Sequence, residues 1–247
     1  SYERLEAPLD GFASCADEFF AAGGAGANVT VPFKQAAAGW VSKLDAAAEF
    51  AGAVNTIVPG ARGSNEFTGF NTDGPGLIAD LKRGLGDRSL RAARVLILGA
   101  GGAVRGVLAP LADQHPAILV IANRTAAKAQ QLAADVAARY PGVNVQGAAL
   151  SDPNDSFDVV INGTSAGLDD AVAPISGRCV RAAFCYDMVY GVRTAFCDWA
   201  RDCGAAATRD GLGMLVEQAA VSFYLWRGVK PDADEVLKQL RKEIEGG

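Results

Sequence analysis

The sequence predicts an α/β protein with a mainly parallel sheet, and two observations carry this prediction. Short apolar runs alternate along the chain with longer segments of helical periodicity, which is the pattern of repeated β-α-β units. One of these apolar runs, at residues 94–98, leads directly into a glycine-rich segment that precedes another helical segment. The chain has 247 residues, more than the usual size of one domain, so we predict two domains.

The individual elements follow from the periodicity of the apolar residues. Strands are predicted at the apolar runs, which are residues 27–31, 53–58, 94–98, 117–122, 144–149, 157–162 and 184–189. Helices are predicted where the apolar residues recur every three to four positions, at residues 10–22, 34–50, 74–85, 102–114, 125–139, 193–203, 212–228 and 232–245.

Composition excludes several classes of function. The formal net charge of −5 argues against a nucleic-acid partner, since phosphate binding favours a basic face. No apolar run approaches the roughly 18 residues of a membrane span, so no membrane association is predicted. The 5 cysteines include no Cys-x-x-Cys pair, which favours reduced thiols in the cytoplasm. The lone histidine, His115, lies in a predicted surface turn, which argues against a histidine-based triad or a multi-histidine metal site.

The glycine-rich segment is the first candidate binding site. It reads Gly-Ala-Gly-Gly-Ala at residues 99–103 and stands between a predicted strand and a predicted helix. Glycines there permit a tight turn and close approach of a pyrophosphate, and the helix offers free N–H groups to the phosphates. Val104 occupies the third glycine position of G-x-G-x-x-G, so a glycine turn without a ligand remains the alternative. The candidate cofactor residues here are Gly99, Ala100, Gly101, Gly102 and Ala103.

The end of the next predicted strand indicates which dinucleotide binds. An NAD site usually has a carboxylate at this point to accept hydrogen bonds from the ribose hydroxyls, and this chain has none there. It has instead Asn123-Arg124-Thr125, with Lys128 one helical turn later. A guanidinium suits the dianionic 2′-phosphate, so we predict NADP rather than NAD. The alternative is that Arg124 and Lys128 are solvated charges at the start of a helix.

We predict two domains with the following bounds. We assign residues 74–211 to a Rossmann-like NADP-binding domain, and residues 1–73 with 212–247 to a discontinuous α/β substrate domain, with a cleft between the two. The helices at 74–85 and 212–228 cross between the domains, and we predict that they act as hinges on which the cleft closes.

Polar residues also follow other predicted strands, where ligands bind in α/β sheets. Lys34 comes just after Pro32, which ends the strand at 27–31. A lysine held at a strand end can exchange a proton with a ligand, although an isolated lysine is more often a solvated residue of a helix. Asp73 follows another strand, and on its own it would more often be a carboxylate that stabilises a helix N-terminus.

Taken together, the motifs resemble those of one family, the shikimate dehydrogenases. The chain contains, in the order of that family, NVTVPFK, GAVNT, NTDG, GAGGAxxG, NRT, YDMVY and GLGMLVxQAA. The resemblance runs from the first residues to the last helix. It implies NADP-dependent, reversible hydride transfer between shikimate and 3-dehydroshikimate, a small-molecule substrate, and a cytoplasmic monomer or homodimer.

The resemblance also implies a role for each matched residue. Lys34 and Asp73 match the catalytic pair, in which the lysine supplies the proton to the forming alkoxide and the aspartate orients it. The implied substrate ligands are Thr30, Lys34, Asn55, Asp73, Tyr190 and Gln218. The implied cofactor residues are Gly99 to Ala103, Asn123, Arg124, Thr125 and Lys128, with Thr164, Met188 and Gly211 lining the nicotinamide. Two small departures are Lys128, where arginine is frequent, and Gly163, where alanine is common.

One departure from the family is larger. Family members begin with a Ser-x-Ser pair, in a motif like H-S-x-S-P-x-x-H-N, whose hydroxyls bind the substrate carboxylate; this chain starts downstream of it and has no other Ser-x-Ser. Without that anchor we expect weak binding, since a hydrogen bond to a charged group is worth about 1.5–3 kcal/mol. Three functions therefore stay open: an active NADP-dependent shikimate dehydrogenase, a quinate/shikimate dehydrogenase with relaxed cofactor use, and a truncated, inactive NADP-binding protein.

Overall fold

The computed structural model describes residues 1–61, 64–164, 174–191 and 193–246. The helices in these ranges are α1 (Phe12–Ala21), α2 (Lys34–Trp40), α3 (Ala46–Ala51), α4 (Asp73–Leu85), α5 (Gly102–Ala112), α6 (Ala126–Arg139), α7 (Ala195–Asp202), α8 (Leu212–Arg227) and α9 (Ala233–Gly246). The strands are β1 (Ala27–Asn28), β2 (Lys43–Leu44), β3 (Thr56–Pro59), β4 (Phe67–Phe70), β5 (Arg94–Leu98), β6 (Ile118–Asn123), β7 (Val145–Ala149), β8 (Val159–Asn162), β9 (Phe184–Asp187) and β10 (Ala207–Arg209).

The larger sheet has six parallel strands in the order β10-β9-β8-β5-β6-β7. Counted from β5, this is the 3-2-1-4-5-6 order of a doubly wound dinucleotide-binding fold, so the predicted Rossmann-like architecture is confirmed. Its central strands are apolar throughout because helices cover both faces. Val95 and Ile97 pack on the side of α4 and α5, whereas Leu96 and Leu98 pack on the side of α7. The order reverses between β5 and β8, which opens a crevice at their carboxyl ends.

The smaller sheet has four strands in the order β1-β3-β4-β2. Its β1–β3 and β3–β4 pairs are antiparallel, and its β2–β4 pair is parallel. The prediction of a mainly parallel sheet therefore holds for the larger sheet, while the smaller one is mixed. Aromatic rings fill one end of this domain, where Phe67 lies with its ring centroid 4.6 Å from that of Phe20 and 4.5 Å from that of Trp40. The two sheets give the two α/β domains, and the exact domain boundaries stay a prediction.

Two predicted elements of the smaller domain are wrong. The strand predicted at 27–31 pairs only at Ala27–Asn28, because the chain turns at 31–33, where Pro32 has no N–H to donate to a ladder. The helix predicted at 34–50 is two helices separated by β2. Asp45 caps the second helix by accepting a hydrogen bond from the Ala48 N–H at 2.8 Å, and this competes with a continuous helix.

The helices α4 and α8 cross closely and connect the two domains. A Cβ added at Gly76 of α4 would lie 2.7 Å from the backbone nitrogen of Gln218 and 2.9 Å from the carbonyl oxygen of Met214, both on α8. Only a glycine therefore permits this approach. Near it lies the Asp80 carboxylate, which is completely buried and accepts a hydrogen bond from the Tyr186 phenol at 2.8 Å.

Charged and polar side chains also link α4, α8 and the larger sheet next to this crossing. Arg83 of α4 donates to Asp80 at 3.0 Å, and it also contacts Glu217 of α8. Burial raises the pKa of Tyr186, with Asp80 as a further cause, so the phenol stays protonated and donates its hydrogen bond. The backbone N–H of Met214 donates to the same phenol oxygen at 3.3 Å. The first turn of α8 is thus tied to β9.

Four further properties bear on the classes of function that composition argued against. No helix within the described ranges is long and apolar enough to cross a membrane. The 5 cysteines carry free thiols. Across the same residues, no group of three or more His, Cys, Asp or Glu side chains is placed to bind a metal ion. His115 is exposed, as predicted for a surface turn.

Replacing Gly76 by alanine tests the close helix crossing. Because the added Cβ would meet backbone atoms of α8, which cannot rotate away, we expect Gly76→Ala to lower the free energy of unfolding by about 1–3 kcal/mol. Urea unfolding followed by circular dichroism measures the change.

Gly39→Ala is the matched control for that prediction. Gly39 also lies in a helix, α2, and no heavy atom lies within 4 Å of its added Cβ. Alanine there should raise the free energy of unfolding by about 0.5–1 kcal/mol. Equal effects of the two substitutions would contradict the close crossing of α4 and α8.

Candidate active site

A cleft of about 1840 Å³ lies between the two domains. From the larger sheet it is lined by Ala103, Thr164 and Met188, at the carboxyl ends of β5, β8 and β9. From the smaller domain it is lined by Lys34 and Asp73. The crevice that the strand order predicts is therefore part of a larger cleft, and residues of both domains face each other across it.

The Lys34 ammonium and the Asp73 carboxylate form an ion pair in this cleft. The distance from Lys34 Nζ to Asp73 Oδ2 is 2.6 Å, and the side chains are 27% and 14% exposed. The turn at 31–33 places Lys34 at the start of α2, and Asp73 begins α4. The Asp73 N–H donates to Asn71 Oδ1 at 3.2 Å. A lysine that is paired but reachable from the cleft can give a proton to an oxygen anion of a ligand.

Asn55 holds the other oxygen of the Asp73 carboxylate. Asn55 Nδ2 donates to Asp73 Oδ1 at 2.8 Å, and Asn55 Oδ1 accepts from the Thr72 N–H at 2.9 Å. A carboxylate only accepts and a backbone N–H only donates, so these two partners fix which way the amide points. Asn55 is 3% exposed, which makes it the most buried of the predicted site residues around the ion pair.

Gln218 completes this polar group from α8. Its Oε1 lies 3.3 Å from Asn55 Nδ2 and 3.3 Å from Thr72 Oγ1, and its Nε2 donates to the Leu215 carbonyl at 2.9 Å. The structure therefore brings Lys34, Asn55, Asp73 and Gln218 together, although they lie on four separate segments of the chain. Thr30 and Tyr190 also line the cleft, and Tyr190 is 52% exposed.

The cofactor side of the cleft is held by a polar pair at the ends of β8 and β9. Asn162 Nδ2 donates to Asp187 Oδ1 at 3.0 Å, and Asn162 Oδ1 accepts from the Thr164 hydroxyl at 2.8 Å. Burial raises the pKa of the Asp187 carboxyl, while hydrogen bonds, including the one from Asn162, oppose the rise. The pair fixes the loops that carry Thr164 and Met188. Gly211 lies against the same segment, since its added Cβ would be 2.4 Å from the Met188 carbonyl oxygen.

The glycine turn after β5 is shaped to admit a phosphate group. Gly99 has a φ of 106°, which favours glycine, and its N–H donates to the Ala122 carbonyl at 2.8 Å. No heavy atom lies within 4 Å of an added Cβ at Gly101 or Gly102, so the space in front of α5 is open. A pyrophosphate fits there, against the free N–H groups at the start of an 11-residue helix.

Arg124 and Lys128 lie beside that turn, outside the cleft. β5 and β6 pair with Leu98 opposite Ala122, so Gly99 and Asn123 follow at adjacent positions. Asn123 Nδ2 donates to the Thr125 carbonyl at 3.0 Å, which shapes the turn that precedes α6. Arg124, Thr125 and Lys128 are exposed, and neither cation forms an ion pair with a carboxylate of the described residues. Both cations remain available for a phosphate.

Comparison with known proteins identifies the family. The profile described as "Shikimate dehydrogenase substrate binding domain" matches residues 1–57, "Shikimate / quinate 5-dehydrogenase" matches 81–169, and "Shikimate 5'-dehydrogenase C-terminal domain" matches 211–241. The chain belongs to the shikimate dehydrogenase family. The predicted membership is thereby confirmed.

Relatives in this family align over nearly the whole chain. A protein of Hahella chejuensis named shikimate dehydrogenase (NADP(+)) is 49% identical over 245 residues, which are 98% of this chain and 87% of that protein. A protein of the same name from Vibrio cholerae serotype O1 is 50% identical over 246 residues, 97% of this chain and 84% of that protein. A crystal structure of shikimate 5-dehydrogenase from Thermus thermophilus in complex with NADP(H) and shikimate has a TM-score of 0.82 and 29% identity, covering 98% of this chain and 87% of that one.

Several polar residues in the site of this shikimate dehydrogenase fold are not identified as site residues by the sequence alone. Thr72, Thr56 and Ser222 are buried around Asn55, and Asn162 and Asp187 support the cofactor side. Weak signals exist for some of them. Thr56 and Thr72 are chain neighbours of predicted ligands, and Ser222 follows Gln218 by one helical turn. Sequence does not show which buried hydroxyl meets which amide.

Val104, at the third glycine position of G-x-G-x-x-G, and Gly163, where the family commonly has alanine, face each other. A Cβ added at Gly163 would lie 2.5 Å from Val104 Cγ2, 3.0 Å from Met188 Sδ and 3.3 Å from the Leu98 carbonyl oxygen. Val104 is completely buried, so its methyl group cannot move into solvent. The valine at the third glycine position is thus accommodated by a glycine where the family commonly has alanine.

A double-mutant cycle tests this pairing. We expect Gly163→Ala to lower the free energy of unfolding by about 1–3 kcal/mol, because the new methyl group overlaps Val104. Val104→Ala should also destabilise, because it leaves a cavity. The double variant should be more stable than the sum of the two losses predicts. Thermal and urea unfolding measure all three, with Gly142→Ala as a control at an open position; simple additivity would contradict the contact.

Proposed function

We propose that this protein catalyses the NADP-dependent, reversible interconversion of shikimate and 3-dehydroshikimate. The observation that supports it most directly is the assembly of Lys34, Asp73, Asn55 and Gln218 in one cleft, opposite Thr164 and Met188. Family membership and the names of relatives at 49% and 50% identity support the same activity. The protein is thus an oxidoreductase that acts on a CH–OH group.

Lys34 and Asp73 supply the proton chemistry in this proposal. Thr164, Met188 and Gly211 would hold the nicotinamide, which would supply or accept the hydride at the ring carbon of the substrate. In the reducing direction, Lys34 donates a proton from its ammonium to the carbonyl oxygen as that oxygen gains negative charge, and Asp73 keeps the lysine oriented. In the oxidising direction the reverse transfer returns the hydroxyl proton to Lys34.

Substrate specificity in this proposal comes from hydrogen bonds to ring hydroxyls. Asn55 and Gln218 offer amide groups beside the ion pair, and Thr30 and Tyr190 offer hydroxyls from the cleft wall. A site built to hydrogen-bond hydroxyls discriminates strongly against analogues that lack them, because its own polar groups would be left unpaired. The substrate is therefore a polyhydroxylated ring. A cytoplasmic location and a monomeric or homodimeric state are further parts of the proposal.

NADP is the proposed cofactor because the ribose end of the dinucleotide site is cationic. Arg105, another arginine near the glycine turn, is engaged with Asp135 at 3.1 Å and with the Phe50 carbonyl at 3.1 Å. Arg124 and Lys128 are the exposed cations that follow β6, and they would bind the 2′-phosphate. The open cradle at Gly101 and Gly102 would hold the pyrophosphate.

Quinate use is the second candidate. One matching profile is described as "Shikimate / quinate 5-dehydrogenase", so the family includes both substrates. Quinate carries one hydroxyl more than shikimate, and the cleft has room for it. Cationic residues after β6 disfavour the relaxed NAD use that would accompany this alternative.

Replacing Lys34 tests the proton donor. The purified protein is assayed for NADP reduction with shikimate and then with quinate. We expect Lys34→Ala to lower kcat about 10²- to 10⁴-fold, the usual contribution of a general acid–base group, with NADP binding unchanged. The matched control is Lys43→Ala, since Lys43 lies in the same domain and also forms an ion pair, with Glu66 at 2.9 Å, but is 60% exposed.

Each outcome of that assay decides between the candidates. Turnover of shikimate by the wild type, lost in Lys34→Ala and kept in Lys43→Ala, supports the proposal. Higher kcat/KM with quinate would favour the second candidate. NADP binding without turnover of either compound would leave only a cofactor-binding protein and would reject the dehydrogenase.

Replacing Arg124 tests the cofactor. Loss of one charge-assisted hydrogen bond costs about 1.5–3 kcal/mol, so Arg124→Ala should raise KM for NADP roughly 10- to 100-fold and leave KM for NAD nearly unchanged. Arg139→Ala, at the far end of the helix α6 that follows Arg124, is the control. An unaltered preference for NADP over NAD in Arg124→Ala would reject this assignment.

A further inference from the structure

Three polar side chains lie next to Asn55 without reaching the ion pair themselves. Thr56 begins β3, Ser222 lies on α8, and Asn28 ends β1. Thr56 and Ser222 are both completely buried, so water cannot replace their hydrogen-bond partners. Hydroxyl groups at such positions need an explanation, since apolar residues would fill the same space without the cost of desolvation.

The three side chains form a continuous series of contacts that ends at Asp73. Asn28 Nδ2 lies 3.1 Å from Ser222 Oγ, and Ser222 Oγ lies 2.7 Å from Thr56 Oγ1. Thr56 Oγ1 lies 2.9 Å from Asn55 Oδ1, and Asn55 Nδ2 lies 2.8 Å from Asp73 Oδ1. We call the segment formed by Asn28, Ser222 and Thr56 the polar chain.

The direction of every hydrogen bond in the polar chain can be assigned from its fixed end. Asp73 and the Thr72 N–H orient the Asn55 amide, so Asn55 Oδ1 faces Thr56 and can only accept. Thr56 therefore donates its single hydroxyl hydrogen to Asn55. Thr56 Oγ1 must then accept from Ser222, and Ser222 Oγ accepts in turn from Asn28 Nδ2.

Competing contacts exist and give less complete arrangements. Asn28 Nδ2 also lies 3.2 Å from Thr56 Oγ1, and Thr72 Oγ1 lies 3.3 Å from Ser222 Oγ. The Ser222 hydroxyl also lies 3.0 Å from the Gln218 carbonyl, one turn earlier on α8. That carbonyl lies within the helix and already accepts the backbone N–H of Ser222. If the Ser222 hydroxyl donated to the Gln218 carbonyl, the single hydroxyl hydrogen of Thr56 would be needed both for Asn55 Oδ1 and for Ser222 Oγ, which lies 2.7 Å away. Only donation from Ser222 to Thr56 gives each contact of the chain its own hydrogen.

We propose that Thr56, Ser222 and Asn28 are positioning residues for the Lys34–Asp73 pair, acting through Asn55. The inference rests on the proposed function, because it concerns the same proton-transfer group. A directed chain of donors keeps the Asn55 carbonyl turned toward Thr56, and its NH₂ group toward Asp73. If the amide rotated, its oxygen would face a carboxylate oxygen, and the two acceptors would repel each other. Asp73 would then lose the contact that holds it against Lys34.

The polar chain also couples the reacting group to helix α8. Ser222 and Gln218 lie one turn apart on α8, and both meet Asn55 or its partner Thr56. Asn28 extends the chain to the edge of the smaller sheet. The position of Asp73 is thus set by α4, β3, β1 and α8 together, rather than by the ion pair alone.

Two substitutions at Thr56 separate positioning from packing. Thr56→Val keeps the shape of the side chain and removes the hydroxyl, whereas Thr56→Ser keeps the hydroxyl and leaves a cavity. We expect Thr56→Val to lower kcat for shikimate oxidation about 3- to 10-fold, the range of one ordinary hydrogen bond, and Thr56→Ser to keep kcat within about 2-fold. KM for NADP should be unchanged in both. Thr56→Ser should show the lower Tm of the two, since it alone loses buried apolar volume.

Thr56→Val is thus expected to have the lower kcat, and Thr56→Ser the lower Tm. This opposite order is the decisive readout, because in a purely structural role kcat would fall together with Tm. Ser222→Ala should resemble Thr56→Val, and the double variant should lose less activity than the product of the two single losses, because both break the same chain. Ser42→Ala is the control; Ser42 is an exposed residue of the same domain that accepts from the Phe67 N–H at 3.1 Å. Equal kcat values for Thr56→Val and Thr56→Ser would overturn the inference.

A measurement without turnover keeps this inference distinct from the proposed function. Hydrogen exchange of the Asn55 side-chain NH₂ group, followed by NMR, reports how firmly the amide is held. Exchange should be faster in Thr56→Val than in the wild type and in Thr56→Ser. Faster exchange in a protein that does not oxidise shikimate would support the positioning role while rejecting the dehydrogenase. Identical exchange in all three proteins would reject the positioning role, whatever the activity.

Discussion

The close crossing of α4 and α8 is the constraint on which the arrangement of the two domains depends. The crossing occurs at Gly76, where the backbones approach too closely for any Cβ. Asp73 begins the first of these helices and Gln218 lies on the second, so the crossing sets their separation directly. The buried Asp80 carboxylate of α4 and the Met214 N–H of α8 then both hydrogen-bond with Tyr186 of the larger sheet. A change in the angle of α4 against α8 would move the reacting group and the cofactor face relative to each other.

The proposed role of the Lys34–Asp73 ion pair is in proton transfer, since the pair contributes little to stability. Exposed ion pairs contribute little to folding, and this one is partly open to the cleft at 27% and 14% exposure. Its surroundings instead constrain geometry. Asp73 Oδ1 is held by Asn55, which leaves Oδ2 for the lysine, and the amide that holds it is itself fixed by a backbone N–H of Thr72. The ion pair is therefore oriented before the substrate binds. A proton-transfer group that is already oriented is more efficient, because this geometry does not have to be established during the reaction.

Sequence predicts the larger domain better than the smaller one, for physical reasons. Strands such as β5 and β8 are buried on both faces and therefore appear as unbroken apolar runs. In the smaller domain, β1 and β2 have two residues each, which is too short for an alternation of apolar and polar residues to be recognised in the sequence. The alanine-rich stretch at 34–50 predicts one continuous helix because alanine has a high helix propensity at every position. The stretch is divided because the Asp45 side chain caps a second helix, and this local hydrogen bond competes with helix continuation. In the site, residues that follow strands, such as Asp73, can be identified from sequence motifs. Buried partners such as Ser222 depend on how α8 meets β3, which no local pattern contains.

Hydrogen-bond capacity separates the polar residues in and around the cleft into three groups. Thr56 and Ser222 are fully buried, and their hydroxyls are taken up by contacts with other side chains. Such residues have nothing left to offer a ligand, and they can influence a reaction only by positioning others. Arg124 and Tyr190 are exposed, so their donors still have capacity for a bound molecule. Lys34 and Asn55 lie between these extremes, because each is fixed by a partner and still lines the cleft. This intermediate state suits proton transfer, since a group that is wholly engaged cannot reach the substrate and one that is wholly free is not oriented toward it.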